Sequence, residues 1–168
     1  YALTGIKSEY KKETLVLPEE FEGKAITSLK AGALVCAANV KTLVIGSSYT
    51  EIEAGVLASL GNLESVTLPF YGSATDENHF VTLFDNSAEA DDDHYIVKNG
   101  ENDYVLPNSL KTLKVTGGDI VPDIKNLKIE NFALAAANIT EIPARALNSI
   151  KTIKSIDLSN CKNIEKIG

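Results

Sequence analysis

Apolar residues recur along this chain in a fixed order. Val40-x-x-Leu43-x-Ile45 returns as Leu63-x-x-Val66-x-Leu68, then as Leu110-x-x-Leu113-x-Val115, Ile129-x-x-Phe132-x-Leu134 and Ile153-x-x-Ile156-x-Leu158. A shortened copy, Leu15-x-Leu17, comes first. The steps between full copies are 23, 47, 19 and 24 residues. Residues two apart in a strand point the same way, so Leu43, Ile45, Val66, Leu68, Leu113, Val115, Phe132, Leu134, Ile156 and Leu158 are the expected core. A second apolar position follows each strand, at Leu29, Ile52, Ile142 and Ile167, and then come the small-residue stretches "AGALVCAAN", "AGVLASLGN" and "ARALNSIK". These read as short helices, with Pro143 where the last would begin.

A unit of this length cannot bury both sides of a strand and a helical turn alone. Stacked units can, because each supplies the core of the next. The pattern predicts an α/β solenoid spanning 1–168 as one array. Its parallel sheet is curved, with short helices or 3-10 turns on the opposite side. Two ladders would face outward from the sheet, Thr14, Thr42, Ser65, Thr112, Asn131, Ser155 and Val16, Val44, Thr67, Lys114, Ala133, Asp157. They lack aromatics, which interface hot spots favour, and hydroxyl-bearing β-branched residues are good strand formers in any case.

The 47-residue step is about two periods and marks an insertion at about 70–107. Charge sets this segment apart. It holds nine acids against one base, Lys98, a charge of −8 in a chain whose net charge is −7. No basic stripe is left to displace counterions from nucleic acid or to meet an anionic membrane. No apolar run is long enough to span a bilayer. The insertion also gathers Tyr71, His79, Phe80, Phe84, Tyr95, Tyr104 and the run "EADDDHY". Aromatics beside carboxylates make a candidate binding site at Tyr71, His79, Asp91, Asp92, Asp93, His94 and Tyr95 for a basic or cationic group. Carboxylate oxygens suit calcium, yet "DNSAEADDDH" has no EF-hand spacing, and His79 with His94 has no recognised zinc spacing. The alternative reading makes the tri-aspartate a solvated loop tip. "HFVTLF" is then a strand, with Phe80 and Phe84 plugging the core where a regular unit is missing.

The motifs resemble those of BspA-like (Treponema pallidum-type) leucine-rich repeat proteins, which read roughly L-x-x-I-x-I-P, T-x-I-G and A-F-x-x-C. "LESVTLP", "TEIEAGVLASLGNL" and "SLKAGALVCAANV" carry the likeness, and "LPFYG", "LFD" and "VLPNSLKTLKVTGG" resemble an insertion of members from gut Firmicutes. The aromatic of "A-F" is replaced by Leu34, by Val56 or Leu57, and by Leu147. "IKSIDLSNCKNIEKIG" is closer to a cysteine-containing leucine-rich repeat, with Cys161 at its Asn/Cys position. The resemblance implies a bacterial protein, secreted or displayed on the cell surface and part of a longer chain. It would bind protein or glycan partners, host-derived ones included, by adhesion rather than catalysis. No cofactor, nucleic acid or membrane insertion is implied. A structural spacer within a larger surface protein is the alternative.

The remaining chemistry is sparse. Cys36 and Cys161 lie about five units apart, roughly 20 Å of stacking, beyond the reach of a disulfide. Both are expected as buried core thiols. No phosphate-binding loop, nucleophile elbow or H-E-x-x-H motif occurs, and "TGGD" at 116–119 reads as a tight turn. The chain opens on Tyr1 and contains no Met, so it reads as a processed chain or a piece of a longer one.

Overall fold

Alternating apolar and polar residues rich in Val, Ile and Thr favour strands, and short Ala-rich stretches lack the length to nucleate an α-helix. The computed structural model follows both rules; it describes residues 1–72, 80–86, 89–121, 124–136, 138–144 and 150–168. Strands β1 (Ala2–Leu3), β2 (Thr14–Val16), β3 (Glu20–Phe21), β4 (Lys24–Ala25) and β5 (Ser28–Leu29) precede the 3-10 turn η1 (Val35–Ala37). Then come β6 (Thr42–Val44), β7 (Glu51–Ile52), β8 (Ser65–Leu68), the 3-10 turn η2 (Phe80–Leu83), β9 (His94–Asn99) and β10 (Asn102–Pro107). The chain continues as β11 (Thr112–Val115), β12 (Asn131–Leu134), β13 (Glu141–Ile142), β14 (Ser155–Asp157) and β15 (Lys166–Ile167). The class is therefore strand-dominated with parallel sheets and sparse 3-10 helix. Of the expected short helices, the first is η1 and the second is a run of turns over 54–59, while 145–149 of the third lie outside the described residues.

Six strands, β2, β6, β8, β11, β12 and β14, lie side by side in chain order in one parallel sheet. Their register aligns the repeat positions, so Leu15, Leu43, Val66, Leu113, Phe132 and Ile156 form one row. Both expected outward ladders appear in the same register. The first is tied sideways, Ser155 Oγ donating to Asn131 Oδ1 and Asn131 Nδ2 to Thr112 Oγ1. The second apolar positions also align, Leu3 with Leu29 and Ile52, and Ile142 with Ile167. Between β2 and β5, β3 and β4 form a hairpin whose two turn residues, Glu22 (φ 51°) and Gly23 (φ 73°), are both left-handed, as a type I′ turn requires.

A further row precedes the first outward ladder: Glu13, Lys41, Glu64, Lys111, Glu130, Lys154. Acid and base alternate across the whole sheet. Lys41 lies 2.8 Å from Glu13 and 3.9 Å from Glu64, and Lys154 pairs with Glu130. The backbone repeats the connection. Each residue's N–H donates to the carbonyl of the one before, from Lys41 to Glu13 at 2.8 Å through to Lys154 to Glu130 at 2.7 Å.

Among the expected core residues, Leu43, Ile45, Val66, Leu68, Leu113, Val115, Phe132 and Leu134 are buried. Ile156 is not: it is 40% exposed. It occupies the core row, but β14 is the end strand of the sheet, with no further strand beside it among the described residues. Leu158 beside it is half-buried against the core for the same reason. The thiols also divide. Cys161 is buried, its Sγ 3.2 Å from the Leu134 carbonyl. Cys36 is half-buried rather than a core thiol, because the tight 3-10 turn points Leu34 and Ala37 inward and turns Val35 to solvent. Both are free.

Candidate functional site: the acidic insertion

The insertion leaves the sheet unbroken. β11 pairs directly with β8, Leu113 beside Val66, so no strand position is vacant. What the insertion covers is the opposite side. There η2 lies against the turn at 54–59, accepting N–H bonds from Gly55 to Thr82 (2.9 Å) and from Leu57 to Leu83 (2.7 Å). The "HFVTLF" segment is thus a 3-10 turn over its described part, not a strand. Phe80 and Phe84 are nonetheless buried plugs, packed edge to face at 5.3 Å.

From η2 the chain reaches the β9–β10 hairpin. Asn99 pairs with Asn102, leaving Gly100 and Glu101 as the turn. Gly100 has φ 61°, the left-handed backbone that favours glycine at the first position of a II′ turn. The hairpin buries Tyr95, Val97, Tyr104 and Leu106, and Val105 N–H donates to the Asp85 carbonyl at 2.8 Å. Further on, the "TGGD" turn is a close passage. A Cβ on Gly117 would meet the Pro69 carbonyl oxygen at 2.8 Å, and Gly118 has φ 88°. It is a packing feature and not a phosphate cradle.

The structure separates the candidate binding residues into two groups. Tyr71 and Tyr95 are buried. Tyr71 stacks on Phe80 with centroids 5.6 Å apart. Tyr95 receives the Lys128 backbone N–H on its hydroxyl at 3.0 Å, while Lys128 Nζ stands 4.5 Å from its ring centroid. The aromatic that the sequence offers to an external cation is therefore already engaged by the chain's own lysine. Burial pushes the Tyr95 hydroxyl pKa up. His79 lies outside the described residues.

Asp91, Asp92, Asp93 and His94 form the accessible group. Asp91 Oδ1 accepts from the Asp93 N–H (2.9 Å) and meets His94 Nδ1 at 2.6 Å. His94 beside it, then the Asp93 N–H, hold the Asp91 carboxyl below the usual carboxylate range. Asn108 clasps the loop from below, its backbone N–H on the Asp93 carbonyl (2.7 Å) and its Nδ2 on that of Asp92 (3.1 Å). The tri-aspartate is thus a tied loop whose Asp92 and Asp93 side chains face solvent. His94 stands between two clefts. One, of about 220 Å³, has Leu57, Leu60, Phe84 and Val105 on its apolar side and Asp85, Glu89 and Asp91 on its polar side. The other, of about 340 Å³, is bordered by Asn62, Asp93 and Asn108. Among the described residues, no three His, Cys, Asp or Glu converge closely enough to hold a metal ion. No helix there is long and apolar enough to cross a membrane.

Sequence reasoning missed Lys128 and Asn108, which lie 33 and 16 residues from the groups they hold. No periodicity links them. It also passed over the alternating charge row, although the signal stood one residue before each outward hydroxyl or amide. Comparison of the chain with family models, curated proteins and solved structures gives no match.

Proposed function

We propose that the chain is a BspA-like leucine-rich repeat solenoid. It acts as a non-catalytic interaction module of a secreted or surface-displayed bacterial protein. The insertion is its recognition element, and the partner is a protein or glycan presenting basic groups. The observation behind this reading is the tied loop at 91–93. It holds two solvated carboxylates on a hairpin anchored by buried aromatics, so the charges are fixed in place before a partner arrives. A preformed negative patch steers basic partners and sets specificity. The outward sheet ladder favours a spacer as second reading, since its hydroxyls and amides bond to one another.

The test leaves the aromatic anchors intact. Wild type is compared with a triple variant, Glu89→Gln, Asp92→Asn, Asp93→Asn, for binding to extracellular-matrix proteins, mucin and glycans. Asp91 is kept, because it closes the loop. Loss of a partner at an unchanged melting temperature supports the recognition role. Absence of any partner for the wild type sinks it and leaves the spacer.

A further inference from the structure

The cleft of about 340 Å³ beside His94 is walled by polar side chains that are already tied to the fold. Asn62 ends the turns after β7, and its Nδ2 donates to the Ala38 carbonyl at 3.1 Å. Asn108 follows β10, and its Nδ2 donates to the Asp92 carbonyl. Ser109 Oγ donates to the Leu63 carbonyl at 2.9 Å. His94 Nδ1 lies 2.6 Å from the Asp91 carboxylate. An ionised carboxylate only accepts, so the proton of the neutral ring sits on Nδ1 and Nε2 keeps a lone pair.

Each wall thus turns its donor toward the protein and keeps its acceptor. Among the described residues, no bond engages the Asn62 Oδ1, His94 Nε2 or the Asp93 carboxylate. The Asn108 Oδ1 already draws a cation from the chain itself, Lys128 Nζ at 3.2 Å, although Lys128 does not line the cleft. Room is left at Gly61, where a Cβ would stand 3.4 Å from His94 Nε2. Clustered acceptors ask for a ligand made of donors. A hydroxyl or an amide brings lone pairs along with its protons, and an anion brings only lone pairs. A guanidinium carries five N–H donors in a planar fork and no acceptor, and an ammonium carries three.

We propose that this cleft receives an arginine side chain of a partner protein. The proposal rests on the reading of the insertion as a recognition element and names the group recognised. The guanidinium forks onto the Asp93 carboxylate, the bidentate pairing that favours arginine. Its remaining N–H groups meet the Asn62 Oδ1 and His94 Nε2, and its stem passes over Gly61. Lysine, a point charge with three donors, engages the same acceptors less completely.

The full chain is titrated with the peptide GGRGG and with counterparts carrying lysine or citrulline in place of arginine, followed by the amide resonances of residues 61–62 and 108–109. Citrulline keeps the shape of arginine but is uncharged and swaps one nitrogen for an acceptor oxygen. The expected result is roughly tenfold weaker binding of the citrulline peptide, the size of one charge-assisted hydrogen bond, with lysine between. Gly61→Leu alters no charge, and its Cβ makes only ordinary contact with His94. With folding checked by its melting temperature, it should lose the arginine response. Asp93→Asn, at a solvent-facing side chain, should bring arginine and citrulline close to equal. Equal binding of arginine and citrulline to wild type overturns the proposal, as does equal binding of arginine and lysine. So does an arginine response that persists in Gly61→Leu or Asp93→Asn, and so does no binding of GGRGG. The two roles fail separately. A macromolecular partner lost in the triple variant but kept by Gly61→Leu leaves the recognition role standing and removes the cleft from it. Arginine binding without any macromolecular partner leaves the cleft standing and removes the recognition role.

Discussion

The sheet around β6 and β8 and the insertion at 80–107 bury similar kinds of surface by opposite means. In the sheet, one short pattern is copied, and each Leu or Val lies on its copy in the neighbouring strand. In the insertion nothing is copied. Phe80, Phe84, Tyr95 and Tyr104 are single large plugs, and the backbone closes on itself in an antiparallel hairpin. Repetition makes a core that is extensible, while aromatic plugs make one that is local and finished.

The most forceful way to break this comparison is to empty one core at a time. Phe80→Ala is expected to destabilise the chain by about 3–5 kcal/mol and Leu43→Ala by about 2–5 kcal/mol. Thermal unfolding followed by far-ultraviolet circular dichroism and by tyrosine fluorescence should give one shared transition for both variants, because η2 is bonded to the 54–59 turn. A separate early transition in Phe80→Ala would make the insertion an independent appendage. A smaller effect comes from Tyr95→Phe. It leaves the ring in place but removes the acceptor of the Lys128 N–H, for an expected loss of about 1 kcal/mol by denaturant titration.

Electrostatic changes rank below these. Lys41→Glu puts three acids in succession in the charge row. The melting temperature should fall at low ionic strength, and salt should narrow the gap from wild type. Acid acts on both regions. The Asp91, Glu53 and Glu130 carboxyls are held below their ordinary range by His94, Lys30 and Lys154. Their protons bind the unfolded chain first as pH falls. Their stabilisation is therefore complete above about pH 4.3 and shrinks as pH drops below about 4. A plot of melting temperature against pH should be level above that window and slope downward beneath it. Smallest of all, Asp92→Asn with Asp93→Asn should leave the melting temperature unmoved, since the loop is tied through Asp91 and Asn108.

The two regions were not equally legible in the sequence. Rows such as Leu43, Val66, Leu113 and Phe132 follow from spacing alone, because spacing is what places them in register. Ile156 obeys the same spacing and is exposed, since a pattern marks a position in a strand and not whether a neighbour covers it. Tyr71 and Tyr95 could not be sorted into core or surface, because an aromatic without a period looks the same in either. Their partners, Phe80 and Lys128, are set by the path of the chain through space. The Asp91 and His94 contact is local, three residues apart, yet Asn108, which makes that loop a fixed object, enters from the far side of the hairpin.

The alternating row has a consequence for how the sheet assembles. Parallel strands with nearly identical patterns invite errors of order, since β2 could lie against β8 almost as well as against β6. Skipping one strand would set Glu13 beside Glu64, or Lys41 beside Lys111, and like charges directly opposite one another oppose pairing. Only the adjacent strand, or one an odd number of places away, brings unlike charges together. The row thus acts as a parity check during folding, rejecting the most accessible misassembly of a chain built from near-copies of itself.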